Sequence, residues 1–306
     1  MKISHGIEYL LVRGLAGLFQ ILPYDAAVGL GSRLGRATNN VWKTRHDVII
    51  NNLKIAFGDE LTEQRREELA RDVFANIGMT LAEACRFAKM SRADILKRVT
   101  SEGEKVFQEA LENGRGAILT GSHFGNWEMG GLYINALGYP VDFLVRGQHN
   151  KKVDDYLTVL RRKVGVGVIH SESGSGMKDV VRALKENRQV AIVSDQHAGS
   201  GGILVKFFGQ LVSVPRAPAT LAVKFHCPLI VGYVLRRPGN KFHCVFERAV
   251  YPDTGAERDA EILRLTQYYT GCFENIIRQY PDHWLWTHRR FKPLKGIEQI
   301  EGTLVE

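Results

Sequence analysis

The stretch Gly116–Gly131 reads GAILTGSHFGNWEMGG and carries an imidazole at His123 and, five positions on, a carboxylate at Glu128. An imidazole can take up a proton near neutral pH. A carboxylate bonded to its other nitrogen fixes the tautomer and supports the cation that forms. Such a pair suits removal of a proton from an acceptor hydroxyl while that oxygen attacks an activated acyl group. No Ser or Cys nucleophile is then required. Ser122 stands beside His123 but lacks the GxSxG elbow of a serine hydrolase. A histidine with a carboxylate at this spacing also arises by chance, as a turn histidine and a solvated glutamate, so the setting matters. The apolar run Ala117–Thr120 reads as a strand, Gly121 and Ser122 as its exit turn, and Glu128 opens a helix. In parallel α/β sheets, ligands collect at the carboxyl ends of strands.

Two further strand ends carry polar groups. Asp195 and Gln196 follow the apolar run Val190–Ser194, ahead of a flexible Gly-rich loop at 198–202. Arg146 follows the run Asp142–Val145, and a guanidinium there suits a phosphate or a carbonyl oxygen. Each has a plainer reading, an Asp-initiated turn or a surface arginine, but polar groups at three strand ends converge better than any one alone. Asn126, inside the HFGNWE segment, joins Arg146, Asp195 and Gln196 as a candidate to bind substrate.

The elements that must position these residues follow from periodicity. Residues 1–90 read as a helical extension. Within it Ile7, Leu10, Leu11, Leu15, Leu18 and Leu22 repeat at helical spacing and Pro23 ends the run. That run is short for a transmembrane span of roughly 20 apolar residues. It fits a helix lying in a membrane interface or a short tilted anchor, the alternative being a helix packed on the protein's own core. Leu69, Val73, Ile77 and Leu81 mark the apolar stripe of a second helix. Over 91–306, short apolar runs (117–120, 142–145, 167–169, 190–194 and 229–235) alternate with helical segments near 126–137, 151–163, 176–187 and 257–280. Strands alternating with helices imply βαβ units and a mainly parallel sheet flanked by helices, an α/β fold in one continuous domain.

Composition narrows the partners. Apolar residues make up 44% of the 306 and charged residues 24%, which excludes a disordered chain. The formal net charge of +8 favours anionic partners: nucleic acid, acidic lipid headgroups or an acidic carrier protein. The segment His283–Pro293, HWLWTHRRFKP, mixes tryptophans with cations and suits a membrane interface or nucleic acid. Cys85, Cys227, Cys244 and Cys272 form no CxxC pair, so neither a zinc site nor a disulfide framework is expected. No GxGxxG, P-loop or HExxH is present, and the His/Glu chemistry needs no metal or other cofactor.

Taken together, these blocks resemble the bacterial lipid A late acyltransferases, the lauroyl/myristoyl transferase family within the wider lysophospholipid acyltransferase group. The resemblance spans nearly the whole chain. It rests on Asn51-Asn52-Leu53 with Ala56-Phe57, HFGNWE at 123–128, Arg146, Asp195-Gln196, Phe207-Phe208-Gly209, APATLA at 217–222 and WLWTHRRFK at 284–292. It implies a lysophospholipid acyltransferase-like fold and a His-x4-Glu dyad with His123 as general base and Glu128 as its partner. It implies that Asp195 and Arg146 line the same pocket. It further implies an acyl-carrier-protein donor, a lipid hydroxyl as acceptor, and a place on the cytoplasmic face of the bacterial inner membrane, against its anionic surface. Nucleic acid is then no partner. The wider group more often has Asp at the position of Glu128, and Lys206 puts a charge where an uncharged residue is expected. A different lipid acceptor (a lysophospholipid, glycolipid or aminolipid) remains open, as does a non-catalytic membrane- or nucleic-acid-binding protein.

Overall fold

The computed structural model describes residues 3–293; residues 1–2 and 294–306, the outer ends of the two expected segments, lie outside the described residues. Five helices precede the first strand: α1 (Ile3–Ile21), α2 (Tyr24–Val41), α3 (Lys43–Phe57), α4 (Glu63–Arg86) and α5 (Arg92–Arg98). Local chemistry sets their starts. Pro23 separates α1 from α2 and lacks the N–H that a helix start leaves unpaired. The Thr62 hydroxyl accepts from Arg65 N at the start of α4, and Ser91 and Asp94 close a reciprocal capping box on α5.

The helix α4 is the hub of this half. It crosses α2 so closely that a Cβ on Gly78 would lie 2.0 Å from the Gly31 carbonyl oxygen. Of its apolar stripe, Leu69 and Val73 are buried and Ile77 is half-buried, whereas Leu81 is exposed. The residues that mark the repeat in α1 point away from the protein: Leu10 and Leu11 are each 69% exposed, while Ala16 and Phe19 face inward. The helix thus does not use that stripe on its own core. Among the described residues no helix is long and apolar enough to cross a membrane.

The remaining chain builds a seven-stranded sheet in the order β1-β9-β8-β2-β5-β3-β4. Its strands are β1 (Val99–Glu102), β2 (Ala117–Gly121), β3 (Val141–Val145), β4 (Gly167–His170), β5 (Gln189–Val193), β8 (Leu229–Arg237) and β9 (Lys241–Phe246). From β4 to β8 all neighbours run parallel; β9 pairs antiparallel with β8, and β1 follows β9. Helices α6 (Lys105–Leu111), α7 (Trp127–Leu137), α8 (Lys151–Lys163), α9 (Gly176–Lys185), α10 (Ala217–Phe225) and α11 (Arg258–Gln279) cover it. This is the mainly parallel α/β fold that the alternation predicts. Both faces of β2 are covered, with Ile118 in the core under α4 and α11 and Ala117 and Leu119 in the core under α7, which explains its continuous apolar run.

The strands absent from the sequence reading are the polar or peripheral ones. The strand β1 carries Thr100, Ser101 and Glu102, and β9 alternates exposed and buried residues at the sheet's far side. Strands β6 (Ile203–Phe207) and β7 (Gln210–Val214) form a separate hairpin whose turn, Phe208-Gly209, has two positive φ values as a two-residue hairpin requires. Lys206 sits there between buried Val205 and Phe207 with its side chain exposed, so its charge stays in water. The C-terminal aromatic–basic segment also departs from expectation. Trp284, Trp286 and Arg290 are buried, so the tryptophans serve the core and not a membrane or nucleic-acid surface.

Because α2 and α4 meet backbone to backbone at Gly78, Gly78→Ala should overpack the crossing. A loss of about 1–3 kcal/mol is expected, measured as a lower urea midpoint with an unchanged slope.

Candidate active site

The parallel register of β2 and β5 builds the centre of the site. Gly121 lies opposite Val193, an offset of 72 positions, and His123 and Asp195 differ by the same 72. Two strands that end in step therefore deliver an imidazole and a carboxylate side by side. His123 Nδ1 lies 2.7 Å from Asp195 Oδ1. The His123 backbone N–H donates to Oδ2 at 2.9 Å, and Trp284 Nε1 donates to the same oxygen at 2.7 Å. An ionised carboxylate only accepts, so Nδ1 carries the proton and Nε2 keeps its lone pair. Among the described residues Nε2 has no protein partner, and the ring is 23% exposed.

Asp195 is buried, with 4% of its surface accessible. Burial alone pushes its carboxyl up; the charge that His123 carries when protonated and the hydrogen bonds from His123 and Trp284 more than offset this and hold it below its ordinary value. Behind it stands Arg290, also buried, donating to the Ser213 carbonyl at 2.8 Å and lying 5.0 Å over the Phe207 ring. Burial pushes Arg290 down to about 10, and the negative charge of Asp195 partly counters it. Asn52 Nδ2 donates to the carbonyls of Trp286 and His288, tying α3 to the segment that carries Trp284.

The turn 123–126 is clamped on its other side. Gly125 has φ +57, and a Cβ there would lie 1.7 Å from the Val234 carbonyl oxygen, so no side chain fits. Asn126 Oδ1 caps α7 by accepting from Met129 N at 3.0 Å, and its Nδ2 donates to Glu83 Oε2 at 2.6 Å. Asn126 is fully buried with both polar ends committed, so it is a structural cap and offers substrate nothing.

Glu128 is brought near the site but not onto His123. It pairs with Arg161 of α8, which donates from Nε at 2.9 Å and also from Nη2. Burial pulls Arg161 down, and the hydrogen bonds and charge of Glu128 outweigh it and hold the guanidinium above its usual range. The expected His123–Glu128 contact is thus replaced by two pairs, His123–Asp195 and Glu128–Arg161. The α7 cap aims the first-turn carboxylate at α8, while the chain leaving β5 brings Asp195 to His123. Trp127, between the two, meets the His123 ring edge-on at 4.9 Å.

A cavity of about 510 Å³ opens beside His123. Arg146, Gln148 and Gln196 give it polar walls, and Leu119, Ile134, Phe143, Val234 and Phe246 give it an apolar interior, with Glu128 and Arg161 also lining it. Arg146 pairs with Glu172 at 2.7 Å and stays largely exposed at the surface. Asp195, expected to face this cavity, lies behind the imidazole instead. No group of three or more metal-ligating side chains occurs among the described residues. In its neutral form such an imidazole, with Nε2 free and facing a chamber of mixed polar and apolar lining, can take the proton of a hydroxyl placed beside it.

The model of a family described as bacterial lipid A biosynthesis acyltransferase matches residues 2–293. The chain belongs to this family. Lipid A biosynthesis palmitoleoyltransferase of Escherichia coli (strain K12) is 25% identical over 284 residues, covering 91% of this chain and 89% of that protein. Lipid A biosynthesis lauroyltransferase of the same strain is 24% identical over 281 residues, 91% and 89% of the two chains. Phosphatidylinositol mannoside acyltransferase of Mycolicibacterium smegmatis is 24% identical over 225 residues, 71% and 70%. The crystal structure of a 1-acyl-sn-glycerophosphate acyltransferase from Thermotoga maritima superposes with a TM-score of 0.36 at 15% identity, covering 81% of this chain and 99% of that one. This member of the lipid A biosynthesis acyltransferase family is an acyltransferase acting on a lipid acceptor. Sequence reasoning missed Arg161, Trp284 and Glu83 as partners of the motif. Trp284 lay within a block already singled out, but nothing in the α8 sequence distinguishes Arg161 from Arg162.

Because Asp195 has a depressed carboxyl in the folded state, its pairing contributes stability above the ordinary carboxylate value of about 3.9 and loses it as pH falls through the lower folded value. Urea midpoints should therefore fall on acidification below about pH 4, and Asp195→Asn should flatten that part of the profile.

Proposed function

We propose that this enzyme moves a fatty acyl group from an acyl-carrier-protein thioester to a hydroxyl of a lipid A precursor, with His123 as the general base. The observation that carries the reading is His123 Nδ1 at 2.7 Å from Asp195, which leaves Nε2 beside the chamber. Nε2 accepts the acceptor's hydroxyl proton as the oxygen attacks the thioester carbonyl. The tetrahedral intermediate then expels the carrier thiolate, which takes the proton back from the imidazolium and leaves as a thiol. Asp195 holds the tautomer and stabilises the imidazolium between these steps. The apolar side of the chamber, around Leu119, Ile134, Phe143, Val234 and Phe246, takes the acyl chain. Glu128, the motif's carboxylate, neutralises Arg161 in the chamber wall; the hydrogen bonds favour Asp195 over Glu128 as the partner of His123. Arg146 and Gln196 at the polar walls serve headgroup or carbonyl oxygens.

The donor and the location rest on charge and exposure. A net charge of +8 suits an acidic carrier and the anionic cytoplasmic face of the inner membrane. The outward stripe of α1 suits a helix lying in the interface. Arg13, Lys89, Lys152 and Lys163 line a groove between α1 and α8, within reach of lipid phosphates. Residues 1–90 are then the membrane-facing part of one continuous unit with 91–306. A second acceptor class, a glycolipid other than a lipid A precursor, is favoured by the mannoside acyltransferase relative at 24% identity.

The test is transfer from labelled acyl-carrier protein to purified lipid A precursor or mannoside lipid, read by mass spectrometry. His123→Ala should lower turnover about 10²–10⁴-fold with the fold intact; a variant with near-normal transfer would refute the mechanism. Asp195→Asn should cost about 10⁴-fold through the wrong tautomer. Glu128→Gln, measured on folded protein, should cost less than Asp195→Asn; the reverse order would return the partner role to Glu128.

A further inference from the structure

The N-terminal helices do more than face a membrane. Glu83, on α4, is completely buried and does not line the chamber. Arg236 of β8 grips it bidentately, Nη1 to Oε1 and Nη2 to Oε2, both at 2.7 Å. The remaining Arg236 donors are also used: Nη2 reaches Thr80 Oγ1 at 2.8 Å and Nε reaches Asn76.

This ion pair touches the His123 turn by three routes. Asn126 Nδ2 donates to Glu83 Oε2 at 2.6 Å. Thr80 Oγ1, held by Arg236, donates to the Gly125 carbonyl at 3.1 Å. The Arg236 backbone N–H donates to His283 Nε2 at 3.1 Å, and the His283 carbonyl accepts from Gly125 N at 2.8 Å. The opposite end of the turn is the His123 backbone N–H on Asp195. The turn is therefore stretched between two buried carboxylates, one on each side.

A buried ion pair is poor at stabilising a fold, because desolvation consumes most of its Coulomb energy. What it supplies is direction. A bidentate guanidinium–carboxylate fork has one geometry, so Oε2 of Glu83 sits at a set point for Asn126. Asn126 in turn caps α7 and sets where the turn ends. We infer that Glu83 is a positioning residue for His123, acting through Asn126 to hold the 123–126 turn in the register that keeps Nδ1 on Asp195. The inference rests on the reading of His123 as the base, and it places part of the catalytic apparatus in the N-terminal helices. Glu83 itself touches neither substrate nor the reacting atoms.

Two variants of the full chain test this. Glu83→Gln keeps the shape but leaves Arg236 without its counter-charge, so it can fail by unfolding. Asn126→Ser retains a hydroxyl that caps α7 and loses only the reach to Glu83. The ring ¹⁵N resonances of His123, assigned by their disappearance in His123→Ala, report the imidazole directly and need no turnover. In Asn126→Ser, corrected for folded fraction, those resonances and their titration should move, and kcat should fall about 10- to 100-fold, the scale for a misplaced catalytic group. KM should stay within about twofold, because neither residue lies on the chamber. Wild-type ring resonances, or a kcat at the wild-type level in the folded variant, would overturn the proposal, as would a loss carried by KM alone. If wild-type protein transfers no acyl group, the acyl-transfer reading fails, while displaced His123 resonances would still uphold the positioning role.

Discussion

The site depends on one buried carboxylate. Asp195 accepts from the His123 ring, the His123 backbone and the Trp284 indole, and each bond recruits a different part of the chain. The ring bond sets the tautomer. The backbone bond fixes the start of the His123 turn. The indole bond draws in the C-terminal segment, which Asn52 anchors to α3. A charge in so dry a place is tolerable only with hydrogen bonds to its oxygens and positive charge nearby. Arg290, itself buried, supplies that charge, and His123 adds to it whenever its ring is protonated. The tryptophans and arginine of the C-terminal segment thus belong to the site's electrostatics.

The second pair, Glu128 with Arg161, divides labour with the first. A carboxylate on the first turn of α7 points across to α8, so the motif's two ends serve different walls of one chamber. His123 presents its free nitrogen to that chamber, and Arg161 contributes a charge that Glu128 neutralises locally. Apolar side chains and charged or amide groups thus stand together around one space. That agrees with membership in the bacterial lipid A biosynthesis acyltransferase family, whose model spans residues 2–293.

The N-terminal helices join these functions. The outward face of α1 leaves its apolar side chains uncovered, while α4 crosses α2 at glycine contacts and sends Asn76, Thr80 and Glu83 toward β8 and the His123 turn. A helix that contributes to the support of the turn cannot be a detachable appendage. Both the exposed stripe and the buried ion pair are consequences of helical periodicity: residues on opposite faces of one layer meet solvent and core respectively.

Much of this was legible in the chain. Continuous apolar runs marked β2 to β5 and β8, because strands covered on both faces need no polar alternation. Glycine and polar residues after those runs marked where ligands gather, and ordered blocks along the chain marked the family. The polar strand β1 and the alternating β9 escaped because their short half-exposed patterns resemble loops. What the sequence by itself determined was therefore the fold class and the residue types at the strand ends. Which carboxylate meets His123 was decided only by tertiary structure. Glu128 is near His123 along the chain, yet the α7 cap turns it toward Arg161. Asp195 lies 72 residues away, yet parallel register sets it beside the imidazole. Register and helix entry angle depend on packing between distant segments, and sequence spacing records neither.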